Sequence, residues 1–235
     1  MKNLHLLSGG AAQGLVRALQ SSFEASSGLA MHCTFNAVGA IQQKLLDGAP
    51  CDVLILTRPL IESLTRSGMV TSGTAQDLGI VKTGMAVKSG APFPLVHDAD
   101  SLRASLRAAS AIFFPDPQLA TAGIHVMKVL TALGLADELA DRLRPYPNGN
   151  TAMKAMAECP DLHAIGCTQV TEIRITPGVE LVADLPKAFE LATVYTAAVC
   201  TRASHPQAAQ DLIAVLSGDA QAGLRAQGGF LPAAS

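Results

Sequence analysis

Ser8-Gly9-Gly10 stands where a short apolar run, Leu4-His5-Leu6-Leu7, gives way to the helical spacing of Leu15, Leu19 and Phe23. A hydroxyl and two glycines at the start of a helix suit the binding of a small anion. The first N–H groups of a helix lack intrahelical acceptors, the macrodipole places partial positive charge there, and glycine lets the backbone approach closely. The Ser8 hydroxyl is expected to be free to donate. Taken alone, the corner reads equally well as a capping serine followed by a tight turn. Comparable corners recur at Phe35-Asn36-Ala37-Val38-Gly39, Thr57-Arg58-Pro59, Ala120-Thr121-Ala122-Gly123 and Asn148-Gly149-Asn150-Thr151. Their recurrence points to an anion site.

Other residues carry sharper chemistry with weaker support. Arg58, at the end of a buried strand, has the planar donor fork that holds a carboxylate at two points, although a solvated arginine is the plainer reading. His125 lies within a helix, where a packed or surface histidine is commoner than a base. Cys167 and Thr168 end a strand, and a buried cysteine usually acts as a small hydrophobe. The phosphate loop G-x-x-x-x-G-K-[ST], the H-E-x-x-H zinc motif and the G-x-S-x-G elbow do not occur. SGGAAQG lacks the dinucleotide spacing, and Phe35-Asn36 stand where that fold places an acid. No cofactor and no metal are therefore expected.

The elements that must position these corners alternate between strand and helix. LHLLS, AMHCTF and CDVLILT read as strands, each followed by a helix: GLVRALQSSFEASSG, AVGAIQQKLLDGA and PLIESLTRSGMV. Such βα succession predicts a parallel sheet flanked by helices. An extended stretch, LGIVKTGMAVKSG, leads into a second series: helix SLRASLRAAS, strand AIFFPD, helix TAGIHVMKVLTALG, helix NTAMKAMAEC capped by Asn150 or Thr151, and strand LHAIGCTQ. Strand VELVADL, the extended FELATVYTAAVC and two closing helices follow. If both extended stretches cross between lobes, residues 1–82 with 196–235 form a discontinuous lobe I and 83–195 form lobe II. The ligand cleft would then lie between them, at the carboxyl ends of the strands.

The composition agrees with a soluble α/β protein. Of 235 residues, 49% are hydrophobic and 15% charged, enough to bury a sizeable core. A formal charge of −2 gives no pull toward nucleic acid or anionic membrane, so neither is an expected partner. No run of about 20 apolar residues predicts a bilayer span. The start MKNLHLLSGG is too short for a secretory signal, and the five cysteines are odd in number without C-x-x-C spacing. Both features favour the cytoplasm, with a periplasmic location if a signal was trimmed.

The segments LLSGGAAQGLVRALQSSFEASSG, FNAVGAIQQKLLDGAPCDVLILT, ATAGIHVMKVLTALG, VYTAAV and GGFLPA together make the chain resemble the periplasmic molybdate-binding protein family. The resemblance spans nearly the whole length and implies the type II solute-binding fold, with two lobes and two crossover segments. Carried over by position, it implies ligand contacts at Ser8, at Ala37-Val38, at Thr121-Ala122, at Cys167-Thr168 and at Tyr195. With the neighbouring corner residues, the expected ligand-binding set is Ser8, Gly9, Gly10, Asn36, Val38, Arg58, Thr121, Ala122, Thr168 and Tyr195. Two departures matter. The family usually has paired serines where this chain has Ala37-Val38, and a small residue with an acid where it has Thr57-Arg58. Both shift the expectation from a molybdate-type oxyanion toward a di- or tricarboxylate.

The same broad family includes an enzyme, aconitate isomerase, which moves a double bond by proton transfer. The resemblance therefore leaves several functions open, in this order: binding of a small anion, isomerisation of an unsaturated carboxylate, and molybdate or tungstate import. An ABC permease is a partner only if the chain is an exported receptor. His125, Tyr195 and Glu172 are candidates for a base, and the spacing assigns none of them.

Overall fold

The computed structural model describes residues 2–233. The chain is α/β, and its contacts divide it into two compact units. One is discontinuous, running up to Val81 and again from Thr193; the other is the inserted segment Lys82–Ala192.

In the discontinuous unit, β1 (Asn3–Gly9), β2 (Ala30–Asn36) and β3 (Val53–Thr57) run parallel in the order β2-β1-β3. The strand β9 (Ala192–Val199) joins β3 antiparallel, with Val53 opposite Val199 and Thr57 opposite Tyr195. β3 is apolar up to its final threonine because helices cover both faces of a parallel sheet, and all five of its residues are buried. The helix α1 (Gln13–Ser27) buries Leu15, Val16, Leu19 and Phe23, one stripe at helical spacing. It ends at Gly28, whose left-handed φ of 69° suits a residue without a side chain. α2 (Val38–Leu46), α3 (Arg58–Arg66), α8 (Pro206–Ser217) and α9 (Ala222–Gly228) complete the unit around a single apolar cluster.

The inserted unit centres on β5 (Ile112–Pro115), parallel to β6 (Leu143–Tyr146) on one side and β7 (Ile165–Gln169) on the other. β4 (Gln76–Lys88) pairs antiparallel with both β7 and β8 (Val179–Asp184). Side chains alternate across this sheet. Met85, Val87, Ile112 and Phe114 enter one apolar cluster with α5 (Thr121–Ala132), while Ala86 and Phe113 enter another with α6 (Gly149–Glu158). α4 (Ala99–Ala108) opens on a reciprocal cap between Asp98 and Ser101.

The structure departs from the sequence expectations in a few elements. A 3-10 turn, Gly10–Ala12, intervenes between β1 and α1, so the glycines precede the helix proper. α6 is capped by Asn148, whose carboxamide oxygen accepts the Thr151 N–H at 2.9 Å, rather than by Asn150 or Thr151. The edge strand β6 and the short α7 (Val170–Arg174) were not foreseen: Leu-Arg-Pro-Tyr lacks apolar alternation, and Val-Thr-Glu-Ile-Arg is too short for helical periodicity.

One buried carboxylate ties the discontinuous unit together. Asp52, 1% exposed, accepts the His5 N–H at 2.7 Å through one oxygen and the His205 N–H at 2.9 Å through the other. It thereby fixes β1 and the start of α8 to the entry of β3. Asp52→Ala leaves two backbone donors without acceptors and is expected to cost about 2–5 kcal/mol in urea unfolding, against little change for the exposed Asp47→Ala.

Candidate functional site

The Ser8 corner is buried and close-packed. Ser8 is fully buried, and its hydroxyl donates to the Gly9 carbonyl at 2.8 Å, so the expected free donor is engaged within the chain. Gly9 has an ordinary extended backbone; what it supplies is space. A β-carbon there would lie 2.9 Å from Val38 Cγ1 and 3.2 Å from Tyr195 Cε1, so glycine allows the end of β1, the start of α2 and β9 to meet. Gly10 opens the 3-10 turn, whose residues are buried and whose start no side chain caps. α2 likewise begins at Ala37 without a side-chain cap, although Asn36 Oδ1 accepts the Ala37 N–H at 2.9 Å.

Arg58 is engaged within the chain. Its guanidinium already grips a carboxylate of the chain, with Nε 3.2 Å from Asp77 Oδ1 and Nη2 on Asp77 Oδ2. The Thr196 hydroxyl donates to the same carboxylate at 2.6 Å. Asp77 stands at the start of β4, far from Arg58 in sequence, and the fold brings the two together.

In the inserted unit α5 begins at Ala120, again with no side-chain cap; Thr121 is half-buried and Ala122 buried. His125 Nε2 lies 2.7 Å from the Phe189 carbonyl and is committed to the fold. Cys167 is buried, and that burial raises its thiol to about 12, which rules against a nucleophile.

Thr168 was expected to meet ligand, yet its hydroxyl donates to Glu172 Oε2 at 2.6 Å. The Glu172 carboxylate also accepts backbone N–H groups of Asn150, Gly149 and Gln169. It therefore occupies the start of α6, and the Asn148-Gly149-Asn150-Thr151 corner is filled from within. A β-carbon at Gly149 would run onto Thr168 Oγ1 and the Glu172 carboxyl. Burial pushes the Glu172 carboxyl above the usual glutamate range, against the opposing pull of these hydrogen bonds.

The most informative residue was not singled out in the sequence. Gln169 closes β7 at 2% exposure, and neither its amide nitrogen nor its amide oxygen has a hydrogen-bond partner among the described residues. Its register partner Thr83 (1% exposed) and the nearby Thr171 (2%) carry hydroxyls in the same condition. Buried polar groups are almost always satisfied, so a cluster of unpartnered ones makes this strand end the candidate place for water or a ligand to supply the bonds. The sequence did carry a signal: a polar residue at the carboxyl end of an otherwise apolar strand.

Among the described residues no group of three or more histidine, cysteine or acidic side chains could hold a metal ion, and no helix is long and apolar enough to cross a membrane. The sequence model of the bacterial extracellular solute-binding protein family matches residues 4–231. The chain belongs to that family. This solute-binding family member is 25% identical over 223 residues to a protein named aconitate isomerase from Pseudomonas sp, covering 91% of this chain and 82% of that protein. Its structure resembles the Azotobacter vinelandii periplasmic molybdate-binding protein, with a TM-score of 0.82 at 18% identity over 99% of this chain and 100% of that one. The sulfate-binding protein SubI from Mycobacterium tuberculosis H37Rv gives 0.76 at 17% identity, over 99% and 87%. These structural likenesses establish the periplasmic-binding-protein fold, as the family resemblance implied.

Because the Glu172 pKa is raised on folding, the solute-binding fold holds this proton more tightly than the unfolded chain does. Its stabilising effect is complete below the unfolded pKa and is lost as pH rises through the folded value. Glu172→Gln, which cannot ionise, is expected to gain stability relative to the wild type as pH rises from about 4 to about 8. Urea midpoints for both proteins across that range check this, and a constant difference would refute it.

Proposed function

We propose that this chain binds a small anion, with di- and tricarboxylates preferred, through the uncapped start of α5 and the Gln169 amide of the inserted unit. The carrying observation is the buried, unpartnered carboxamide of Gln169 beside the unpartnered hydroxyl of Thr83. An amide and a hydroxyl offer both donors and acceptors, which suits a ligand bearing carboxylate and carboxylic acid or hydroxyl groups. The uncapped N–H groups at the start of α5, in the same unit as Gln169, supply positive potential without a formal charge. The relative named aconitate isomerase supports a carboxylate over a molybdate-type ligand, as does Ala37-Val38 at a corner where the resembled family carries serines.

That relative also favours a second reading, isomerisation of an unsaturated carboxylate such as aconitate. We rank it below binding because two of the named bases are engaged internally: His125 on the Phe189 carbonyl, and Glu172 among Thr168 and three backbone N–H groups. Import of molybdate or tungstate ranks third, and an ABC permease partner belongs to an exported-receptor role. The extracellular description of the family supports export over the cytoplasmic location expected from the amino terminus and cysteines.

Thermal shift tests the ligand class. Di- or tricarboxylates are expected to raise Tm with concentration, because a ligand that binds only the folded state stabilises it by mass action. A large shift with molybdate or tungstate and none with carboxylates would reverse the order. Incubation with cis- or trans-aconitate in deuterated buffer, followed by proton NMR, separates catalysis from binding. Unchanged aconitate with a clear Tm shift is the outcome expected.

Gln169→Leu tests the residue itself. Replacing an unsatisfied buried amide with an apolar group of similar size leaves the ligand-free protein as stable as the wild type or more so. The same change is expected to weaken carboxylate binding by about tenfold or more, roughly 1.4 kcal/mol, by titration calorimetry. Unaltered affinity would remove Gln169 from the site.

A further inference from the structure

Cys51 and Cys200 stand at neighbouring strand ends, just before β3 and just after β9. These strands pair antiparallel from Val53 opposite Val199, and the Cys200 N–H continues the pairing to the Asp52 carbonyl at 3.0 Å. Both side chains are buried, at 7% and 3% exposure, in the same apolar cluster, and both are free thiols in this structure, that of Cys51 donating to the Val53 carbonyl at 3.2 Å. Both also line one cavity of about 430 Å³ with Pro50, Met69 and Arg202, which leaves room for a small thiol reagent to approach.

The other cysteines lack such a neighbour by topology. Cys33 lies on β2, which β1 separates from β3. Cys159 and Cys167 pack into different apolar clusters of the inserted unit, on opposite faces of its sheet. Among the described cysteines, Cys51 and Cys200 are the pair that neighbouring strand ends bring to one cavity, with Cys200 opposite Asp52, the residue next to Cys51.

We propose that Cys51 and Cys200 form a disulfide when the chain folds in an oxidising compartment. In that step a disulfide donor such as oxidised glutathione is reduced to two thiols. The cysteines give up two protons and two electrons, and one S–S bond forms between Sγ atoms. The bond joins the two separate stretches of chain that make the discontinuous unit, on either side of Lys82–Ala192. Closing so long a loop restricts the unfolded chain strongly. The neighbouring Cys200 thiol and burial hold the Cys51 thiol above its ordinary pKa, so thiolate is scarce in the folded chain and the bridge closes during folding rather than after it. The inference is independent of the ligand.

Refolding the reduced, unfolded full-length chain in a glutathione redox buffer, with a parallel sample in dithiothreitol, tests it. Peptide mapping without reduction is expected to recover a linked pair containing Cys51 and Cys200, and the oxidised protein is expected to melt roughly 5 °C or more above the reduced one. Cys33→Ser should keep that difference, and Cys51→Ala with Cys200→Ala should abolish it. Folded protein from the redox buffer in which both thiols are free, carry glutathione or link to another cysteine would overturn the proposal. The mapping is read on the natural sequence, so it decides the matter even where the double variant does not fold.

Discussion

Backbone N–H groups at the start of a helix need an acceptor, and in a βα fold those starts collect at one edge of each sheet. This protein meets the requirement in two ways. Some starts are satisfied by its own side chains: Asp98 at α4, Asn148 and Glu172 at α6. Others, at Gly10, α2 and α5, have no side-chain cap. The difference separates the helix ends that serve the fold from those able to serve a ligand. Neither glycine content nor polarity alone makes that separation.

Glu172 shows why. An anion at the α6 start satisfies the same donors that an external anion would, and the chain supplies one from its own β7-to-α7 corner. Thr168, expected beside a ligand, becomes a hydrogen-bond partner of that internal carboxylate. Gln169, the next residue, is left with no partner of its own. Within these few residues the protein has both a completed polar network and an incomplete one, and an incomplete buried network is unfavourable unless another molecule completes it. Arg58 repeats the theme in the other unit, where the donor fork that suits a ligand carboxylate is already held by Asp77.

Much of the fold was legible because it depends on local patterns. The succession of apolar strands and amphipathic helices in the first 70 residues predicts β1 to β3 and α1 to α3, and the structure has them. β6 and α7 escaped because each is too short to establish a period. The site was less legible, since its state depends on long-range partners. That Asp77 closes on Arg58, or that Glu172 reaches the α6 start, follows from the packed fold and from no local spacing. Ser8 was readable as a corner residue, whereas the direction of its hydroxyl toward Gly9 was not.

The placing of stability and of binding groups in the molecule follows from the same physics. Asp52 is as deeply buried as Gln169, yet both its oxygens are bonded, and they join segments that lie at opposite ends of the chain. It belongs wholly to the fold. Gln169 has comparable burial and no side-chain hydrogen-bond partner among the described residues, the condition in which a buried amide costs stability. Under the proposed function, a buried polar residue that gains its bonds only with ligand converts the weakness of the empty state into affinity, because binding is measured against the unsatisfied state. The same argument predicts selectivity: a ligand that cannot both donate and accept at Gln169 leaves part of the defect in place and binds less tightly than one that can.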